Sequence, residues 1–285
     1  MPKYENPAAD AIIDKEYKVL DKGFVRLVDY LGGDSRIVQA ARVSYGEGTK
    51  TIREDKGLID YLVRHQHTSP LEMVSLTFHC KMPIFVARQW VRHRTAKLNE
   101  ISGRYSVMKN EFYVPQASSV SLQSTDNKQG RGQTADQAAK DKFFQLLEED
   151  QNQVYEHYEE VVELGIAREL ARINLPLSLY TEWYWTMDLH NLFHFLALRL
   201  DPHAQMEIRV YAEAMLEIVR QVAPLASESF ENHIRGAVKF GHKEWEALKS
   251  LGLSADSLKK AGEAQGLEGK ALERFLAKIL DGTVL

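Results

Sequence analysis

VSLTFHC, residues 74–80, puts Val74, Leu76, Phe78 and Cys80 on one side of an extended chain and Ser75, Thr77 and His79 on the other. Alternation of period two marks a half-buried strand. Shortly afterwards PIFVARQWVRHR, residues 83–94, abandons that alternation and opens on a proline, which a helix tolerates in its first turn. The spacing predicts a helix through Arg94, with Arg88 and Arg92 one turn apart on a shared face. A strand running directly into a helix makes the chain a mixture of the two.

The mixture continues upstream. FVRLVDY (24–30) reads as a strand before the turn signal Gly32-Gly33-Asp34, and Asp34 or Ser35 is placed to cap a helix through Ala41. Residues 55–66 form an amphipathic helix with Leu58, Ile59, Leu62 and Val63 on one face. Residues 1–22 are polar and read as a loosely held arm. Downstream, RYSVMKNEFYV (104–114) reads as a strand or hairpin, and 117–140, rich in Ser, Gln, Gly, Asn and Asp, as a long surface loop. Residues 141 to about 222 read as mostly helical, with breaks near Gly165, Pro176 and Pro202, and Pro224 ends the last core helix. Residues 241–285 stand apart as a helical extension, with Leu248, Leu251, Leu253, Leu272, Phe275, Leu276 and Ile279 at helical spacing. The working division is a domain at 1–240 and an extension at 241–285.

A chain of 285 residues can bury a sizeable core without disulfides or metals. Its net charge of −4 argues against a protein that coats nucleic acid. The single cysteine, Cys80, excludes an intramolecular disulfide and a four-cysteine zinc site, and suits a reducing cytoplasm. The start, MPKYENPAADAIIDKEYK, has no apolar core and is not expected to be a secretory signal. No run approaches the roughly 20 apolar residues of a membrane span.

Against that acidic background, RQWVRHRTAKLNEISGRYS (88–106) gathers Arg88, Arg92, His93, Arg94, Lys97 and Arg104. Guanidinium forks match phosphate oxygens, and Ser102-Gly103 adds a hydroxyl and a backbone that a ligand can approach. The run reads as a phosphate site or as a solvated basic helix end, where arginine is favourable anyway.

The order Arg92-His93-Arg94, seven residues, Ser102 resembles the signature of the flavin-dependent thymidylate synthases. ARVSYG (41–46), HTSPLE (67–72), FVARQWVRHR (85–94), NEISGRYS (99–106), LPLSLYTEWYW (175–185) and LRLDPHAQMEIR (198–209) also look like segments of that family, in its order, over roughly residues 24–240. The resemblance implies an α/β (α+β) subunit with an antiparallel sheet flanked by helices and a mostly helical C-terminal half. It implies synthesis of dTMP from dUMP, with methylenetetrahydrofolate as carbon donor, FAD as hydride carrier and NADPH as reductant, in a homotetramer with shared active sites. No nucleic acid or membrane partner is implied.

Carried across by motif, His67, Ser69, Arg92, His93, Arg94, Glu100, Asp188, His190 and His194 contact flavin. Gln89 and Arg92 reach dUMP from one subunit, and Glu100, Ser102 and Arg104 from another, with Arg172 as a further anion contact. Arg199 matches the arginine that favours an ionised uracil N3, as a fixed cation should. Cys80, at an apolar strand position, is assigned no nucleophilic role. On an ideal helix Arg199 lies roughly 140° around from His194, so either the helix ends near Leu198 or the two serve different sites in an oligomer.

Rival readings use the same residues differently. His190 and His194 at i, i+4, with Asp188, His203 and Glu207, outline a metal-dependent hydrolase, although two histidines supply too few ligands alone. The arginines with Tyr180, Trp183, Tyr184 and Trp185 outline a nucleic-acid module, though such aromatics more often fill a core. A flavin-binding relic without catalysis is the third. Arg168 and Arg172 share a helix face and could pair with Glu163 or Glu169, which decides nothing.

Overall fold

The computed structural model describes residues 6–43, 52–126 and 128–280. Ser44, Tyr45 and Gly46 of the ARVSYG segment lie outside the described residues. The chain divides into two compact units, Met1–Gly236 and Ala237–Leu285.

The first unit begins with α1 (Pro7–Asp10), β1 (Glu16–Val19) and β2 (Gly23–Leu31), then α2 (Asp34–Arg42) and α3 (Ile52–Arg64). The described part of the expected loose arm is in fact built in. Ala9 is fully buried, the Asn6 side chain donates to the carbonyls of Gln221 and Val222, and β1 pairs antiparallel with β2. A polar stretch is held here by hydrogen bonds, which hydrophobic patterning does not report. α2 opens as expected, but Asp34 does not cap it. The Asp34 carboxylate accepts from the backbone N–H of Leu225 and Ala226 instead.

β3 (Ser75–Pro83) and α4 (Ile84–Trp90) follow, then a short edge strand β4 (Lys97–Glu100). α4 stops four residues earlier than expected, so Arg92 lies beyond it and shares no helix face with Arg88. Trp90 is the last side chain the core can hold, and the charged residues after it turn away. Residues 104–114 form turns with one isolated bridge, Phe112 to Leu179, rather than a strand or hairpin. The expected loop at 117–140 contains an antiparallel hairpin, β5 (Ser121–Gln123) with β6 (Arg131–Thr134), and already enters the long helix α5 (Gln137–Glu163), capped by Asp136.

After α6 (Arg168–Ala171) comes the main departure. Residues 180–188 are not helical but form β7 (Tyr180–Asp188), the strand that joins β3 to β4. Its alternation is plain in the structure, with Trp183, Trp185 and Met187 buried against Glu182, Tyr184 and Thr186. The sheet order is β1-β2-β3-β7-β4, all antiparallel, with Cys80 opposite Trp183 and Phe78 opposite Trp185.

Helices α7 (Leu189–Arg199), α8 (Met206–Val222) and α9 (Pro224–Phe230) complete the unit. Pro224 does end α8, but it also opens α9, where its missing N–H costs nothing. The inner sides of β2, β3 and β7 bury their residues with α2, α3, α4, α7, α8 and α9 in one core, so the helices lie on the apolar face of an antiparallel sheet. A smaller cluster of Met108, Phe112, Tyr155, Tyr158 and Leu179 packs under α5.

The second unit has three helices among its described residues: α10 (His242–Lys249), α11 (Ala255–Ala264) and α12 (Gly269–Leu280). No helix of the described residues is long and apolar enough to cross a membrane.

Candidate active site

Trp90 anchors the site. It is fully buried, and its ring meets Trp183 at 5.4 Å, Trp185 at 5.6 Å, Phe195 at 5.1 Å and Tyr211 at 5.8 Å between centroids. That aromatic cage fixes the C-terminal end of α4, and with it Gln89 on one side and the turn 91–94 on the other.

Around this anchor the structure gathers Gln89, His93, His194 and Arg199. Arg199 Nε donates to His93 Nε2 at 3.1 Å, and Arg199 Nη2 donates to the Gln89 carbonyl at 3.1 Å. The His93 ring lies 6.0 Å from that of His194. α7 ends at Arg199, so the alternative of a helix ending near Leu198 holds to within a residue, and the arginine side chain reaches the ring that His194 faces. Burial first, then the positive charges of Arg199 and His194, lower His93 to about 4. The imidazole is accordingly neutral at pH 7, and its Nε2 is free to accept from a guanidinium. Burial also lowers Arg199 from its ordinary value.

A second group sits at the other end of α7. Asp188 is its N-cap, with Oδ1 accepting from the backbone N–H of Asn191 at 2.9 Å and Oδ2 from its side-chain amide at 2.7 Å. Leu189 N–H donates to the Val74 carbonyl, and the turn Leu71–Met73 packs on α7, which brings the segment carrying His67 and Ser69 to this end. The His67 ring is exposed beside Tyr61 at 5.5 Å. Residues 190 and 199 are separated by about 14 Å at 1.5 Å per residue.

A third group lies beyond the edge strand. Glu100 accepts from Thr181 Oγ1 at 2.6 Å. The turn after it is closed by Ser102, whose carbonyl accepts from Tyr105 and Ser106 and whose hydroxyl accepts from Arg104 N–H at 3.3 Å. α6 clasps this turn, Arg168 donating to the Tyr105 carbonyl and Glu169 pairing with Arg104 at 3.1 Å. Arg172 then lies across Gly103, where an added Cβ would come within 2.9 Å of its Cδ. Only glycine allows that approach without displacement. No hydrogen bond or ring contact joins this group to the Gln89–Arg199 group within the described residues. Arg92 and Arg94 are exposed, and no carboxylate among the described residues pairs with either.

The hydrolase outline does not assemble. Glu207 is buried with Arg131, Tyr113 and Gln205, and His203 bonds Asp201. No group of three or more His, Cys, Asp or Glu side chains able to hold a metal occurs among the described residues. Trp183 and Trp185 are buried in the core, leaving Tyr184 exposed and stacked on His79 at 4.8 Å. Cys80 is fully buried, and burial pushes its thiol well up.

Residues 26–225 match the model of the thymidylate synthase complementing protein family. The chain belongs to the flavin-dependent thymidylate synthase family. Residues 238–285 match the thymidylate synthase ThyX C-terminal domain. Flavin-dependent thymidylate synthases from Treponema denticola and Treponema pallidum are similar at 60% identity over 95% of this chain and 99% of theirs, and at 56% over 96% and 88%. A solved structure of a UMP/dUMP methylase, PolB from Streptomyces cacaoi, bound with 5-Br dUMP, is 33% identical and superposes with a TM-score of 0.70 over 77% of this chain and 99% of that one. Membership of the family makes the chain an enzyme, and its antiparallel sheet with flanking helices is the fold of that methylase.

Sequence reading did not single out Gln205, Arg131 or Tyr113, and placed Glu207 only in the hydrolase outline. No local pattern distinguishes a buried glutamate at the head of α8 from a solvated one, because its partners come from segments far away in the chain.

Proposed function

We propose that this enzyme converts dUMP to dTMP by reductive methylation, with methylenetetrahydrofolate as carbon donor, FAD as hydride carrier and NADPH as reductant. The observation that carries the reading is Arg199. It is a half-buried guanidinium braced by a neutral imidazole and a backbone carbonyl, with no carboxylate to neutralise it among the described residues. A cation so held favours an anionic form of a ring placed beside it. Uracil C5 is a poor nucleophile, and the chain's one thiol is sealed in the core, so the ring must be activated by polarisation rather than by addition of sulfur.

The residues present fit a flavin dinucleotide. Arg92 and Arg94, exposed and without ion pairs among the described residues, offer forks to a pyrophosphate. His67, Ser69, Asp188 and His190 at one end of α7, and His93 and His194 toward the other, give contacts spread over a length that suits an extended cofactor. Bound FAD supplies the hydride, and the protein's own residues bind, orient and polarise. In this reading Gln89, Arg92 and Arg199 serve the nucleotide from one subunit, and Glu100, Ser102 and Arg104, with Arg172, from another. That no hydrogen bond or ring contact joins the two groups among the described residues supports a homotetramer with shared sites, and the single free cysteine suits the cytoplasm.

The test is an absorption spectrum of the purified protein incubated with FAD and freed of excess cofactor. Stoichiometric flavin, bleached by NADPH and perturbed by dUMP, is expected; a protein that retains no flavin overturns the reading. Arg199→Ala is expected to keep flavin while dTMP formation falls about 100-fold or more, as when a transition-state charge loses its partner. Undiminished dTMP synthesis by that variant would refute the role of Arg199.

A further inference from the structure

A line of side-chain hydrogen bonds runs from the β5–β6 hairpin to the end of α4. Arg131 of β6 and the Tyr113 hydroxyl both donate to Glu207 Oε1. Glu207 Oε2 accepts from Gln205 Nε2 at 2.9 Å, and Gln205 Oε1 accepts from Gln89 Nε2 at 2.5 Å. Glu207 is 1% exposed and lines a cleft of about 390 Å³ together with Phe85, Tyr113, Arg131 and Phe143. Burial works against its charge, but the hydrogen bonds from Arg131 and Gln205 more than offset that and hold its carboxyl below the usual carboxylate range.

The direction of this line is dictated by chemistry. An ionised carboxylate only accepts, so Gln205 must turn its NH2 toward Glu207. Its carbonyl oxygen then faces Gln89, which must answer with its own NH2. Gln89 Oε1 is the atom left over, and it takes no hydrogen bond among the described residues. The two ends of a glutamine amide are nearly identical in shape, so without the charged terminus either amide could turn over.

We infer that Glu207, acting through Gln205, locks Gln89 with its carbonyl oxygen toward the substrate, so that Gln89 selects a nucleotide offering an N–H or O–H donor there. This rests on the reading of Gln89 as a nucleotide contact. Gln205 and Glu207 are positioning residues, and Arg131 ties them to the hairpin. A flipped Gln89 would present N–H to the ligand's donor, and an unsatisfied buried donor costs more than a missing bond.

The experiment uses the full-length enzyme with FAD, comparing wild type and Gln205→Met. Gln205 is exposed, so methionine there leaves the core intact. dUMP binding is read from the flavin spectrum, and KM and kcat from dTMP formation. Discrimination is measured with 3-methyl-dUMP and 2′,3′-dideoxyuridine monophosphate, each lacking one donor. Gln205→Met is expected to raise KM for dUMP about tenfold, the size of one well-made hydrogen bond, with flavin retained and kcat within about twofold. Its preference for dUMP over at least one analogue should shrink. Glu207→Gln, whose own amide no longer dictates direction, should shift the same ratio. An unchanged KM overturns the relay. So does a raised KM with both preferences as in wild type, or a collapse of kcat together with flavin loss, since those are marks of a merely structural role. Failure of wild type to bind dUMP overturns the nucleotide reading itself, and the relay with it.

Discussion

His93 is held neutral by its surroundings, and that neutrality is what lets it brace Arg199. Its ring is harder to protonate in the folded chain than in the unfolded one, where histidine titrates near 6.5. The stability this arrangement contributes is therefore complete above about pH 6.5 and is eroded as pH falls toward about 4, because protons then favour the unfolded chain. Titration of selectively labelled histidine by NMR should show the His93 ring still neutral at pH 5.5, with its midpoint near 4. A midpoint near 6.5 would mean a solvated ring and no contact with Arg199. The motif marked His93 as a functional residue, but its protonation state follows from burial beside Arg199 and His194, which are about 100 positions away in sequence and have no signature at residue 93.

Among the elements, α4 carries most of the consequence. Seven residues long, it could not persist alone. Its position comes from Trp90, which three strand and helix partners enclose. Trp90→Ala should cost about 3–5 kcal/mol in denaturant unfolding, the range for emptying a large aromatic from a core. Trp90→Phe should recover a good part of that and, with it, flavin retention. A loss under about 1 kcal/mol for Trp90→Ala would show that the cage is not what fixes α4. The β3–α4 junction was legible because both periodicities are clean, period two and then a proline-led helix. β7 was not. Its buried residues Trp183, Trp185 and Met187 alternate as well as those of β3, but they lie between helical stretches, and an apolar-rich segment in such company reads as more helix. What makes it a strand is the pair of neighbours waiting on either side, β3 and β4.

At the level of the whole molecule, the proposed site is divided. Gln89, His93 and Arg199 cluster at the end of α4, while Ser102, Arg104 and Arg172 cluster beyond the sheet edge. If the two sets meet across subunits, mixing Arg199→Ala with Ser102→Ala, each expected to be impaired alone, should raise dTMP synthesis above that of either variant after subunit exchange. Absence of any restored activity, with exchange verified by mass, would place both sets in one chain's own site. The proposed assembly would also account for the large exposed side chains near this edge. Leu170, Ile173 and Leu177 are 58%, 78% and 60% exposed beside the Arg172 group, as expected of a surface that another subunit covers.

The linear order of residues alone determined the family, through six segments whose spacing survives without knowledge of contacts, and the alternation that makes β3 a half-buried strand. These are local facts, set by period, by proline and by the chemistry of arginine. Tertiary structure decided which of the marked residues touch: that Arg199 braces on His93 and Gln89, that Arg172 crosses Gly103, and that Asp34 caps α9 rather than α2. It alone disclosed the line from Arg131 through Glu207 and Gln205 to Gln89. Hydrogen bonds between positions 131, 207, 205 and 89 depend on distance and direction in space, and a carboxylate's command over two amides downstream of it exists only once the fold has buried the carboxylate and set the amides in line with it.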